Sequence, residues 1–176
     1  MICNNVIDNN HLFESKNKYI VDTNVIMGQF GHPYYVKNVN NNLKLRKAIE
    51  NYNKAVNVKA KIYVPAIVIS EYVNKYFTRR FEELKEQQPD RFKSKKKNYW
   101  NSPEYIDDCE YIKEVLKKDV LHNIEVIDDE FDSISIDQVF NFNNADFNDN
   151  LIIHIANKKG MYVISGDMDF SKIPIK

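Results

Sequence analysis

Short apolar runs alternate along the chain with longer stretches in which apolar side chains recur every three or four residues. Runs at about 18–22, 61–64, 124–127 and 161–165 read as strands. Helical spacing appears from 42 to about 56 through Leu45, Ala48, Ile49 and Tyr52. It returns from Ala66 to about Arg80, where Ile69, Val73, Tyr76, Phe77 and Arg80 are expected on one side, with room to continue through Lys85. Pro65 is expected to open that helix, because proline suits a first helical turn. Ser102-Pro103-Glu104 has the composition of a helix start, leading into a stripe of Tyr105, Cys109, Ile112 and Leu116. Shorter helical pieces are predicted at 24–30 and 131–140, and a last helix at 147–158 is stopped by Gly160. Ile173-Pro174-Ile175 is expected to be an edge strand, where proline is tolerated. Strands alternating with helices predict an α/β fold: a mostly parallel sheet of four or five strands, covered on both faces.

With 176 residues the chain has the length of one domain with a substantial core. Residues 1–17 are polar and Asn-rich, an expected N-terminal extension, and the domain proper is expected over 18–176. The first 18 residues have neither a basic nor an apolar signal region, and no apolar run approaches membrane-spanning length. Cys3 and Cys109 stand too far apart for a disulfide framework or thiolate metal site. The expectation is a cytoplasmic protein without a membrane partner. Four scattered glycines exclude a P-loop or a GxGxxG turn. Basic and acidic residues cancel at 25 each, so net charge points to no partner. Their distribution says more, since Arg91, Lys93, Lys95, Lys96 and Lys97 form a run without a negative charge, followed by Tyr99 and Trp100.

The acids carry the candidate chemistry. Asp22 ends the first strand and is followed by Thr23 and Asn24. In open α/β sheets, reacting groups collect at this carboxyl end, although Asp, Thr and Asn are also good helix caps. Glu71 lies two turns into the next long helix, after Val64-Pro-Ala-Ile-Val-Ile69, where a surface pair with Lys75 would equally explain it. Asp149 heads a helix face otherwise made by Ile152, Ile153 and Ala156, with Asp146 reading as the N-cap. Asp167 and Asp169 follow the fourth strand in Ser165-Gly-Asp-Met-Asp-Phe170. Carboxylates gathered at strand ends repel one another and raise one another's pKa. A divalent cation relieves this, and oxygen-only ligands suit Mg2+ or Mn2+. One or two such ions activate water and stabilise charge on a phosphodiester.

Together, Val21-Asp22-Thr-Asn24, Glu71, Asn148-Asp149-Asn150 and Ser165-Gly-Asp167 resemble the PIN-domain nuclease pattern in order and spacing from residue 18 onward. The resemblance implies a three-layer α/β/α sandwich with the first strand central. It implies Mg2+- or Mn2+-dependent cleavage of RNA, with Asp22, Glu71, Asp149 and Asp167 as metal-binding catalytic acids. Asn24, Asp146 and Asp169 would support them. Many small bacterial members are toxins held by a cognate antitoxin, often as homodimers. This chain departs from them in its N-terminal segment and in a basic helical insertion at about 79–103.

In that insertion Arg91, Lys93, Lys95, Lys96 and Lys97 could grip an RNA backbone while Tyr99 and Trp100 stack an unpaired base. A solvated loop with Trp100 anchored in the core is the competing reading. Two rival functions are a catalytically silent PIN-like module that binds RNA or protein, and an Asp-nucleophile phosphohydrolase. The phosphohydrolase would need a second Asp where Asn24 stands, and no lysine is suitably placed along the sequence.

Overall fold

The computed structural model describes residues 7, 11–31, 42–134, 137, 146–167 and 170. Strands β1 (Lys18–Val21), β2 (Lys61–Pro65), β3 (Glu125–Ile127) and β4 (Tyr162–Ile164) form one all-parallel sheet in the order β3-β2-β1-β4. Beyond their first residues β1 and β2 are buried without a break. Such continuous burial requires cover on both sides of the sheet, and the fold is an α/β/α sandwich. The cover comes from α1 (Thr23–Phe30), α2 (Leu43–Asn57), α3 (Ala66–Gln87), α4 (Pro103–Val115) and α5 (Phe147–Lys159). After α4 the chain passes through a π turn, Leu116–Val120, and one further helical turn, Leu121–Asn123. β3 is an edge, with Val126 half exposed.

Pro65 differs from its expected place. It is the last residue of β2, paired with Ile127, and the helix begins after it. Because proline offers no capping side chain, Asp129 from the loop after β3 accepts a hydrogen bond from the Ile67 amide at 3.1 Å. α3 then runs unbroken to Gln87, through the expected start of the insertion. Its buried stripe is Val68, Tyr72, Tyr76 and Leu84, one residue round from the expected one. The Tyr72 hydroxyl explains part of this rotation, since it donates to the Phe30 carbonyl at 2.8 Å. Arg80 turns to the insertion instead of the main core, meeting Asp108 at 3.1 Å and Glu83 at 2.6 Å.

The insertion has a small core of its own in Leu84, Phe92 and Tyr99, flanked by Phe77, Phe81 and Tyr105. The buried Tyr99 hydroxyl donates to Asp108 at 2.8 Å. The described part of the N-terminal extension is packed as well. The Ile7 amide donates to the Val163 carbonyl at 3.3 Å, and His11 lies 4.5 Å from the Tyr162 ring and 3.0 Å from the Tyr19 hydroxyl. Residues 131–133 form a single 3-10 turn. The rest of the helix expected to 140, apart from position 137, lies outside the described residues, as does the expected edge strand at 173–175.

This topology determines where a site can form. From β1 the chain builds outward through β2 to β3, and β4 then joins the other side of β1. The order therefore reverses between β1 and β4, and a crevice opens at their carboxyl ends.

Candidate metal and nucleic-acid site

Asp22 stands at that reversal. Its amide makes the last rung to β4, donating to the Ile164 carbonyl at 3.1 Å. It occupies the N-cap position of α1, yet its side chain makes no cap hydrogen bond. Instead its Oδ2 accepts from Ser165 Oγ at 2.8 Å. Only 4% of Asp22 is exposed. Burial pushes its pKa up to about 6, although the Ser165 hydrogen bond and the nearby Lys75 charge work against the rise. The Asn24 amide also works against the rise, so a helix-start contribution remains while burial dominates.

Glu71 meets it across the crevice. Its Oε2 accepts from Thr23 Oγ1 at 2.9 Å and from Asn148 Nδ2 at 3.1 Å. Those donors neighbour Asp22 and Asp149 in sequence, so the three acids are tied through adjacent residues. The pairing with Lys75 is also present, at 2.8 Å to Oε1. Burial would raise the Glu71 pKa, but Lys75, Thr23 and Asn148 together outweigh it, and the net shift is downward. Lys75 Nζ additionally donates to Asn24 Oδ1 at 3.3 Å. The fold thus brings a lysine to the Asp22 pocket, overturning the expectation that none is suitably placed. Asn24 nevertheless leaves the phosphohydrolase pattern without its second acid.

Asp149 begins the buried face of α5 formed by Ile152, Ile153 and Ala156. Asp146 is the N-cap, its Oδ1 accepting from the Asp149 amide at 2.9 Å. That arrangement leaves the Asp149 carboxyl facing other acids. Burial first, then the charges of Asp146, Asp22, Asp167 and Glu71, push its pKa up to about 8. Asp167 is held by its amide, which donates to Ser165 Oγ at 2.9 Å. Ser165 therefore clamps the two sheet-end acids. A Cβ on neighbouring Gly166 would come within 2.9 Å of the Leu45 Cα, so this loop lies against the start of α2 and excludes larger residues. Asp169 lies outside the described residues.

The four predicted acids consequently share one electrostatic neighbourhood. Among the described residues, no three His, Cys, Asp or Glu side chains are already drawn to metal-ligating distances. Glu71 is engaged by Lys75, and Asp22 by Ser165. In kind, the donor set fits a hard divalent cation: carboxylate oxygens, partly buried, with the nearby charge of Lys75 engaged by Glu71. The sequence placed Thr23, Asn148 and Ser165 within its motifs and Lys75 beside Glu71, but gave none of the four a part in the site. Only Lys75, at i+4 from Glu71, left a local signal there.

The family model for the PIN domain matches residues 19–176. The chain belongs to the PIN domain family. No curated protein and no solved structure matched it. PIN domains are generally nucleases that use divalent metal ions and act on nucleic acids, and this PIN domain has the corresponding nuclease-like fold. Among its described residues no helix is long and apolar enough to cross a membrane.

The basic run of this PIN domain divides in the fold. Tyr99 is fully buried in the insertion's core, so the expectation that it stacks a base is corrected: its ring holds the insertion together. Trp100 is 48% exposed, so it is not anchored in the core. Arg91 pairs with Glu104 at 2.6 Å, and Lys93 with Asp90 at 3.7 Å, acids outside the run. Lys95 donates to Thr78 Oγ1 at 2.6 Å, reaching α3, while Lys96 and Lys97 are exposed.

Proposed function

We propose that this PIN domain is a ribonuclease dependent on Mg2+ or Mn2+, hydrolysing RNA phosphodiester bonds. The observation that carries the reading is Asp149: it is buried within the field of Asp146, Asp22, Asp167 and Glu71, and burial followed by these charges pushes its pKa up to about 8. A carboxyl in that setting is driven to capture either a proton or a cation, and at neutral pH a dication removes the conflict for Asp149 and Asp22. Asp22 and Asp149 would hold the ion, with Asp167 beside them and Glu71 directly or through water. When bound, such an ion lowers the pKa of water and offsets charge on the phosphodiester. Ser165 orients Asp22, Asp146 orients the start of α5, and Asn24 with Lys75 sets the position of Glu71. Asp169 would support the same site.

One observation favours the catalytically silent alternative: Glu71 already has a cationic partner in Lys75. Two measurements separate the readings. Calorimetry should detect Mn2+ uptake that is lost in Asp149→Asn, and pools of tRNA, rRNA and mRNA should be cut only with added Mg2+ or Mn2+. Uptake without cutting would leave a binding module, and neither would sink the site. A toxin role, with a cognate antitoxin and a homodimer, extends the same proposal. A small DNA-binding protein encoded in the neighbouring reading frame would support it.

A further inference from the structure

A groove of about 470 Å3 runs beside the carboxylates along the outer face of α3. Its floor is two ladders at i,i+4 spacing: Ser70, Asn74 and Thr78, and next to them Glu71, Lys75 and Arg79. From Ser70 to Thr78 the helix advances roughly 12 Å. The groove includes Glu71 but not Asp22, Asp149 or Asp167, so it leads away from the acids and does not enclose them.

At its Thr78 end the insertion reaches it through Lys95. Lys95 lies in a π turn, Lys95–Tyr99, whose start is held by side chains: Ser94 Oγ accepts from the Lys97 amide and Asn98 Oδ1 from the Ser94 amide. Beneath it, Phe92 and Tyr99 are fully buried, and Tyr99 is bound to the Asp108–Arg80 pair. The turn is thus anchored to α3 by a core of its own, and what it delivers to the groove is one ammonium group, on Thr78.

We infer that this groove holds the single strand of RNA flanking the scissile phosphate, with Arg79 and Lys95 gripping its backbone. The inference rests on the nuclease reading above. Lys75, Arg79 and Lys95 set three cations in succession from the carboxylates outward, and Glu71 and Glu82 set two anions against them. Arg79 is spent on Glu82 at 2.7 Å, but both side chains are about half exposed. An exposed pair of this kind is worth little and yields readily to a phosphate, which offers Arg79 two parallel hydrogen bonds. Ser70 and Asn74 present neutral donors and acceptors between the cations, suited to sugar and base edges. Base edges are open to such groups in an unpaired strand, whereas a duplex turns its Watson–Crick edges inward.

The test is the affinity of an unstructured oligoribonucleotide and of a hairpin duplex for the full chain, with Ca2+ replacing Mg2+ and strand integrity checked on a gel. The parent should bind the single strand at least about tenfold more tightly than the duplex. Arg79→Ala/Lys95→Ala should weaken single-strand binding about tenfold or more. Its salt slope should be shallower by about 1.4, at roughly 0.7 for each phosphate contact. Glu82→Gln, which releases Arg79 and removes a repelling charge, should tighten it. The charge-matched control Lys16→Ala/Lys18→Ala, at the amino end of β1, should leave the slope near the parent's. Mn2+ uptake and the unfolding midpoint of each variant should match the parent's. A parent that binds RNA while the groove variants keep its affinity and slope, or that prefers the duplex, overturns the groove alone. A parent that neither binds nor cuts RNA overturns the nuclease reading and the groove with it.

Discussion

At the residue scale, the decisive feature is that two aspartates in this site are held in the wrong protonation regime for isolated carboxylates. Asp22 is raised to about 6 chiefly by burial, and Asp149 to about 8 by burial and surrounding acids. Each folded-state pKa lies above the unfolded value near 4. Folding therefore favours the protonated acid: the contribution is fully present below about pH 4 and is lost as pH rises through about 6 for Asp22 and 8 for Asp149. The metal-free protein should lose stability across that window, which urea unfolding at pH 4.5, 6 and 8 with chelator would measure. Asp22→Asn should remove about half of the slope between pH 4 and 6 and stabilise the metal-free protein at pH 7 by on the order of 1–3 kcal/mol. The same substitution should abolish RNA cleavage. A destabilised variant with the parent's pH profile would show that Asp22 is a structural acid after all.

Single elements bring these acids together, and their ends matter most. α5 is started by Asp146 and terminated by Gly160 at φ 62, a left-handed turn that glycine adopts without a Cβ penalty. Asp146→Ala should cost about 1 kcal/mol of stability, the usual value of such a cap. It should also loosen Asp149, giving weaker Mn2+ binding by calorimetry, whereas Asp146→Ser should recover most of the stability. The insertion is a second element with its own logic. Tyr99→Phe leaves one buried oxygen of Asp108 without its donor and should destabilise by about 1–3 kcal/mol. Because the lost contact is local, hydrogen exchange should quicken in 92–108 well before it changes in β1.

For the whole molecule, the buried charges of Asp22 and Asp149 amount to a stored cost that a cation would discharge. Mg2+ or Mn2+ should raise the unfolding midpoint, by about 2.7 kcal/mol of stability at one hundred times the dissociation constant, and chelation should reverse the gain. Asp149→Asn should flatten that response. A midpoint indifferent to both ions across pH 6–8 would contradict the site.

What could be read from the sequence is what depends on neighbours along the chain. The strand runs, helix spacings, the Asp146 cap, the Gly160 stop and the position of Asp22 at a strand end are all local, dictated by periodicity, chain direction and backbone preference. The strand order places Asp22 and Asp167 beside one crevice, and the α5 periodicity places Asp149 at the head of its buried face. Long-range contacts were decided only by the tertiary structure. Ser165 reaches Asp22 across 143 residues and Asn148 reaches Glu71 across 77. Tyr99 is taken into a core that its basic neighbours conceal, and Lys95 is carried to α3. Burial and through-space charge have no period along a chain, so the raised pKa values of Asp22 and Asp149 come from packing alone.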